Sequence, residues 1–370
     1  DRAGLDRIYR EVRDSAYEII RRKASSDTAA IEVSHILIYE GHDEKTMDIM
    51  TYDYEEILKD PACTTVVEVI GGIEPAHTYI LKALRSGRNV VTANKAVVAA
   101  HMEEFIETAR ENDVQFRFEA SCGGGIPWIH GLMQAKRIDP ISRISGIFNG
   151  TSNYILDQMM KKDLDFDVTL KAAQEAGYAE ADPSADIDGI DTANKAVISS
   201  SLAFETYCRR DFPMSGIRNL KKSDLDWFRE RGQSIRLMML STAQDDRYCC
   251  VVEPMALSVH SLEANVPDNF NLTTLIGDTI GELKFYGQGA GSLPTGNAIV
   301  SDLIAICRQE PFDVPAMSEK QFDPSLLRGD YILRANGEIG EFHDMDPVQM
   351  HEQYRLTLQE DPDAFLVRLL

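Results

Sequence analysis

Apolar positions along the first third of the chain follow two alternating periods. In GLDRIYREVRDSAYEIIRRK, Leu5, Ile8, Val12, Ile19 and Ile20 fall near helical spacing, which predicts an amphipathic helix. IEVSHILIYE (31–40) reads as a strand, YEEILKD as a short helix, and TTVVEVIGG (64–72) as an apolar strand closed by two glycines. HTYILKALRSG predicts a helix stopped at Gly87, RNVVTANK a strand and turn, EEFIETARENDV a helix, and QFRFEA another strand. Strands and helices alternating from about residue 30 to 120 are the signature of an α/β fold, a doubly wound parallel sheet with helices on both faces.

Beyond SCGGGIPW the pattern changes. RISGIFNGTSNYILDQMM begins as a strand, turns at Asn149-Gly150 and becomes helical. A carboxylate-rich loop then leads into a helix over about 190–204, and residues 213–310 mix strands and helices. In the tail, DYILRANGEIGEF predicts strands and VQMHEQYRLTL a helix. The expected organisation is a first domain over 1–125, an α+β domain over 126–305, and a C-terminal segment, 306–370, that returns to cover the first domain or aids assembly.

With 370 residues the chain exceeds one ordinary core, so more than one domain is expected. The net charge of −22, from 60 acidic and 38 basic residues, argues against nucleic acid and against an anionic membrane surface, since both need clustered Lys and Arg. Among the 370 residues no run approaches the about 18 apolar positions of a membrane span. DRAGLDRIYREV lacks the apolar core of a signal peptide. The six cysteines show no CxxC spacing, as expected of reduced thiols in a cytoplasmic protein.

Four stretches carry candidate chemistry. In GYAEADPSADIDGIDTANK, Asp191 and Lys195 are four apart and share a helix face. The rest of that helix is small or apolar, which predicts burial, and buried charges need a reason. Upstream, Glu180 and Asp186 sit in a Gly/Pro/Ser loop suited to presenting carboxylates to a substrate ammonium or a metal ion. In TANK, Lys95 follows a parallel strand, where open α/β sheets bind ligands. In EASCGGGIP, three glycines permit close backbone approach, a cation site beside Glu119, or a plain hinge. In FNGTSNY, the turn before a helix offers backbone amides and the Thr151 hydroxyl to a carboxylate.

These stretches, together with FYGQGAGSLPTGNAIVSDL, resemble homoserine dehydrogenases in order and separation over about residues 50 to 305. The resemblance implies NAD(P)-dependent interconversion of L-homoserine and L-aspartate 4-semialdehyde in a homodimer or higher homo-oligomer. It implies that Lys195 is the proton donor and acceptor, with Asp191 beside it and Lys95 near the nicotinamide and substrate. Glu180, Asp186, Gly150, Thr151 and Gly177 match substrate positions. Gly71, Gly72, Thr92, Asn94, Lys95, Glu40 and Gly289 are the implied cofactor positions, with Glu40 favouring NAD over NADP. Glu119, Cys122, Gly124 and Ile126 match the surround of a sodium ion. Alcohol oxidation needs a group to accept the hydroxyl proton as hydride leaves the same carbon, and a lysine amine meets that need.

The chain also departs from the family. No G-x-G-x-x-G is present, so the first strand and its glycine turn are expected to precede this sequence, the alternative being a non-catalytic amino-acid-binding or regulatory relative without a dinucleotide site. Residues 311–370 show no ACT-domain signature.

Overall fold

In the computed structural model of the chain, residues 2–39 and 44–370 are described, with side chains from residue 10 onward. The chain forms two compact units, and neither is one continuous segment: Arg2–Ser121 joins Gly291–Val314, and Cys122–Ala290 joins Pro315–Leu370.

The first unit opens with α1 (Arg2–Arg22) and the single turn α2 (Ser26–Ala29), capped by Ser25. β1 (Ile36–Leu37) pairs in parallel with β2 (Met50–Thr51), Ile36 facing Met50. The strand expected over 31–40 is therefore much shorter. Its first residue is held by the preceding turn instead, the Ile31 amide donating to the Thr28 carbonyl at 3.3 Å. After α3 (Tyr54–Lys59) come β3 (Thr65–Glu68), α4 (Ala76–Arg85), β4 (Asn89–Thr92), α5 (Lys95–Glu111) and β5 (Phe116–Arg117). The strands run parallel in the order β3-β4-β5 with in-register contacts such as Val66 to Val90 and Val90 to Phe116, as the alternating pattern predicts. A cavity of about 410 Å³ is lined by apolar residues of α1 and of both sheets, among them Ile20, Ile36 and Val66.

The second unit begins with α6 (Trp128–Lys136), β6 (Ile141–Ile147), α7 (Gly150–Lys162), α8 (Phe166–Glu175), the short α9 (Ser184–Ile187) and α10 (Ile190–Phe204). α11 (Lys222–Arg229), β7 (Gln233–Gln244), β8 (Arg247–Ser258), β9 (Phe270–Gly277) and β10 (Gly281–Gln288) follow. The chain then returns to the first unit through α12 (Ser292–Cys307), whose Ile299 and Leu303 share a core with Val12, Ala16 and Ile20 of α1. Apolar positions at helical spacing on both helices account for that pairing.

The tail adds β11 (Gln321–Phe322), β12 (Gly329–Ala335), β13 (Glu338–Met345), α13 (Pro347–Glu360) and β14 (Phe365–Leu369). The segment 306–370 divides between the two units: residues up to Val314 belong to the first. Residues 315–370 belong to the second, and β14 extends its sheet by parallel pairing of Arg368 with Met255 on β8. The order is β10-β9-β6-β7-β8-β14-β12-β13, with β11 beside β8. Burial holds it there: Phe365, Leu366, Val367 and Arg368 are all buried, and Arg368 Nε donates to Glu253 at 2.6 Å inside the sheet. No helix of the described residues is long and apolar enough to cross a membrane.

Candidate active site

α10 begins at Gly189, whose φ of +84° is left-handed backbone that favours glycine. Every residue from Asp191 to Phe204 is buried. Small and apolar side chains fill most of that helix, and the Trp128 indole donates to Ser199 Oγ at 2.8 Å, fixing α6 against it. The two charges in the first turns are thus set into packed protein, with Asp191 5% and Lys195 6% exposed.

Lys195 Nζ donates to Asp191 Oδ2 at 2.8 Å and to the Phe148 carbonyl at 2.6 Å. An ammonium carries three N–H groups, so one remains for a ligand. Phe148 and Asn149 form the turn between β6 and α7. Asn149 Oδ1 caps α7 by accepting from the Ser152 amide at 2.8 Å, while its Nδ2 donates to Asp186 Oδ1 at 2.7 Å and Asp191 Oδ2 at 2.9 Å. One neutral amide therefore holds two carboxylates and the cap, and the lysine balances one of those carboxylates. Asn149 was not among the expected site residues. Its signal is local, an Asn directly before a helix-opening Gly-Thr-Ser, but its partners are 37 and 42 residues away.

Gly150 opens α7 where a Cβ would lie 2.7 Å from the Asn269 carbonyl, so a side chain is excluded there. Thr151 Oγ1 donates to the Tyr178 carbonyl at 2.6 Å, tying the helix start to the acidic loop. Glu180, half-buried in that loop, has no side-chain hydrogen bond or ion pair among the described residues. Gly177 is exposed at φ +77°, and its amide donates to the Gln174 carbonyl at 3.0 Å, so it terminates α8.

Cys122 is fully buried, with Sγ 4.0 Å from the Lys195 carbonyl. After it, Gly123 and Gly124 adopt positive φ, and the Ile126 amide donates to the Gly123 carbonyl at 2.8 Å. Gly124 and Gly289 meet backbone to backbone: a Cβ on Gly124 would lie 2.6 Å from the Gly289 carbonyl carbon, and one on Gly289 would overlap the Asn271 amide. Asn271 is 0% exposed, and among the described residues neither of its amide atoms has a hydrogen-bond partner. A buried amide with both ends unsatisfied is costly and rare.

In the first unit, β3 and β4 end side by side. Glu68 Oε2 accepts from Thr92 Oγ1 at 2.6 Å and Glu68 Oε1 from the Ile70 amide at 2.6 Å. Burial pushes the Glu68 carboxyl up, and these hydrogen bonds hold it back. Asn94 caps α5 through the Val97 amide at 3.3 Å and donates from Nδ2 to the Gly72 carbonyl at 2.7 Å. Gly71 and Gly72 adopt φ of +80° and +70°, a turn that leaves the backbone bare. Lys95, half-buried, is the first residue of α5. Gly71, Gly72, Thr92, Asn94 and Lys95 thus gather at the carboxyl ends of β3 and β4, with Glu68 as an unforeseen organiser. Glu119 is buried and its amide donates to Asp302 Oδ2 at 2.9 Å. Glu40 lies outside the described residues.

Comparison with known proteins falls on the same two regions. The family profile described as "Homoserine dehydrogenase, NAD binding domain" matches residues 11–119, and that described as "Homoserine dehydrogenase" matches 127–304. The chain is 32% identical to the homoserine dehydrogenase of Bacillus subtilis over 86% of its own length and 77% of the relative's. It is 42% identical to that of Synechocystis sp. over 70% of its length, and there spans 61% of the relative. The crystal structure of a homoserine dehydrogenase from Thiobacillus denitrificans superposes with a TM-score of 0.85 at 28% identity, covering 97% of this chain and 96% of that one. Two profiles that together cover residues 11–119 and 127–304, and relatives such as that of Bacillus subtilis at 32% identity over 86% of the chain, place the chain in the homoserine dehydrogenase family.

Proposed function

We propose that the chain interconverts L-homoserine and L-aspartate 4-semialdehyde with a nicotinamide dinucleotide, and that Lys195 moves the proton. The observation that carries this reading is the buried Lys195–Asp191 pair, anchored at 2.8 Å with one ammonium N–H to spare. In the reducing direction, Lys195 donates that proton to the aldehyde oxygen as hydride reaches the carbonyl carbon, giving the alcohol and a neutral amine. In the oxidising direction the amine takes the hydroxyl proton. The dinucleotide, when bound, supplies or accepts the hydride. Asp191 and the Phe148 carbonyl aim the ammonium, and Asn149 holds Asp191 in place. Glu180 offers an uncommitted carboxylate for the substrate's α-ammonium, with Asp186 beside the cap. Gly150 and Thr151 bring the positive end of α7 towards the substrate carboxylate.

The bare turn at Gly71-Gly72, next to Thr92, Asn94 and Lys95, fits close approach of the nicotinamide end of the cofactor. NAD is the preferred dinucleotide in this reading, and titration with NAD and NADP separately checks it. The same reading gives the carbonyls of Cys122, Gly124 and Ile126, with Glu119, to a sodium ion. The unsatisfied Asn271 amide against Gly289 and Gly124 supports a polar ligand at that turn. Assembly as a cytoplasmic homodimer belongs to the same proposal.

The test is absorbance at the reduced-nicotinamide band with homoserine and either dinucleotide. Lys195→Ala is expected to lose turnover by about 10²- to 10⁴-fold while the circular dichroism spectrum is retained. Turnover near the parent rate would refute the role of Lys195.

A further inference from the structure

α4 and α5 pack together in the first unit, and their facing surfaces carry a cluster that the reaction does not use. His77 lies in the first turn of α4, and His101 and Glu104 lie one turn apart on α5. His77 Nε2 stands 2.8 Å from Glu104 Oε2, and His101 Nδ1 stands 3.8 Å from the same oxygen. The two imidazole rings lie with centroids 4.0 Å apart and planes tilted by 31°. One donor atom from each residue can be chosen so that all three lie within 4.8 Å of one another. α5 departs from helical backbone at His101, where φ is −135° and ψ is 21°.

We propose that His77, His101 and Glu104 bind a divalent first-row transition ion of the zinc or cobalt class, with water completing the coordination. Two imidazoles and one carboxylate are a borderline-soft donor set that suits such ions and not calcium or magnesium. Metal–ligand bonds of about 2.0–2.2 Å place tetrahedral ligands roughly 3.4 Å apart, between the two separations that converge on Glu104 Oε2.

The surroundings supply what a metal-binding histidine needs. Glu74 Oε1 lies 3.0 Å from His77 Nδ1, and Thr78 Oγ1 donates to Glu74 Oε2 at 2.9 Å. A carboxylate on the far nitrogen fixes the tautomer and aims the other nitrogen at the ion. On the other ligand, Arg85 lies 3.7 Å from Glu104 Oε1, which leaves Oε2 turned towards the rings. The side chains are 20%, 31% and 43% exposed for His77, His101 and Glu104, so an ion and its water reach them from solvent.

Titration of the full chain with cobalt chloride tests this. The expected result is a visible d–d spectrum that saturates at one equivalent, without the intense sulfur-to-cobalt charge-transfer band. The spectrum is lost in His101→Ala and in His77→Gln. Glu74→Gln, which touches no ion directly, weakens binding by about ten- to a hundred-fold. The half-exposed position of His101 makes its substitution compatible with folding, and circular dichroism of both histidine variants verifies it. Absence of a d–d spectrum at one equivalent overturns the proposal. So does a thiolate charge-transfer band, or a spectrum unchanged in both histidine variants.

Discussion

Among single residues of the second unit, Asn149 gathers the most polar partners around the buried Asp191. Its amide caps α7 and holds Asp186 and Asp191 at once. Asn149→Ala removes the cap, worth about 1 kcal/mol, and one hydrogen bond each to Asp186 and to Asp191 Oδ2, which still accepts from Lys195, worth about 1 kcal/mol more. We expect a lower denaturant midpoint and lower turnover together. Asn149→Ser, which keeps a capping oxygen but cannot reach both carboxylates, is expected to recover the midpoint more than the turnover. Equal recovery of both would reduce Asn149 to a cap. The Lys195–Asp191 pair was legible in the sequence because two charges four apart interrupt an otherwise apolar helix. Asn149 and Glu68 were not. Each acts on partners that strand ends bring together, Glu68 on Thr92 from 24 residues away, and no spacing rule along the chain encodes that.

At the scale of elements, periodicity found the helices and most strands, and failed where pairing decides. α10 is expected at about 190–204 and runs Ile190–Phe204, because the left-handed Gly189 and Glu205 at its ends and an unbroken buried face act along the chain itself. Residues 31–40 have a strand's composition, yet among the described residues of that stretch the strand is confined to Ile36–Leu37, with the Ile38 amide adding one bond to the Thr51 carbonyl. The tail's hairpin and helix were visible, but not their destination. That destination follows from one polar device. Glu253, 0% exposed on β8, accepts from Arg368 Nε at 2.6 Å and lies 2.7 Å from His351 Nε2, so β14 and α13 both answer a charge buried in the second unit's sheet. Burial alone would push the Glu253 carboxyl up, but Arg368 and His351 more than offset it and hold the group below its ordinary value. Arg368→Leu strands that charge and is expected to cost about 3–5 kcal/mol. The double variant Arg368→Leu, Glu253→Leu is expected to regain much of the loss. Urea unfolding of the four proteins measures both, and full additivity would mean that the pair does not hold the tail.

For the whole molecule, the net charge of −22 does not reveal which carboxylates shape the dependence of stability on pH. Glu253, held low, contributes stability that is present above the ordinary carboxyl range and is lost as pH falls through its folded value. Asp302 on α12 runs the other way. Burial pushes it up from 3.8 to about 7, and neither the Glu119 amide at 2.9 Å nor Arg117 at 3.8 Å offsets the desolvation. Its favourable contribution is complete below 3.8, shrinks as pH rises, and is gone once pH passes about 7. Three pH units correspond to about 4 kcal/mol at most. Asp302→Asn retains an oxygen to accept from the Glu119 amide and does not titrate, so it isolates this term. Near pH 4 the variant is expected to match the parent closely. Between pH 5 and 7 it is expected to become the more stable of the two, by a margin that then levels off. Denaturant unfolding of both proteins across that range measures the margin. If Asp302 were instead ionised and paired with Arg117, its folded value would lie below 3.8, and Asp302→Asn would show a deficit already complete near pH 5 and flat up to pH 7. That flat deficit would overturn the assignment.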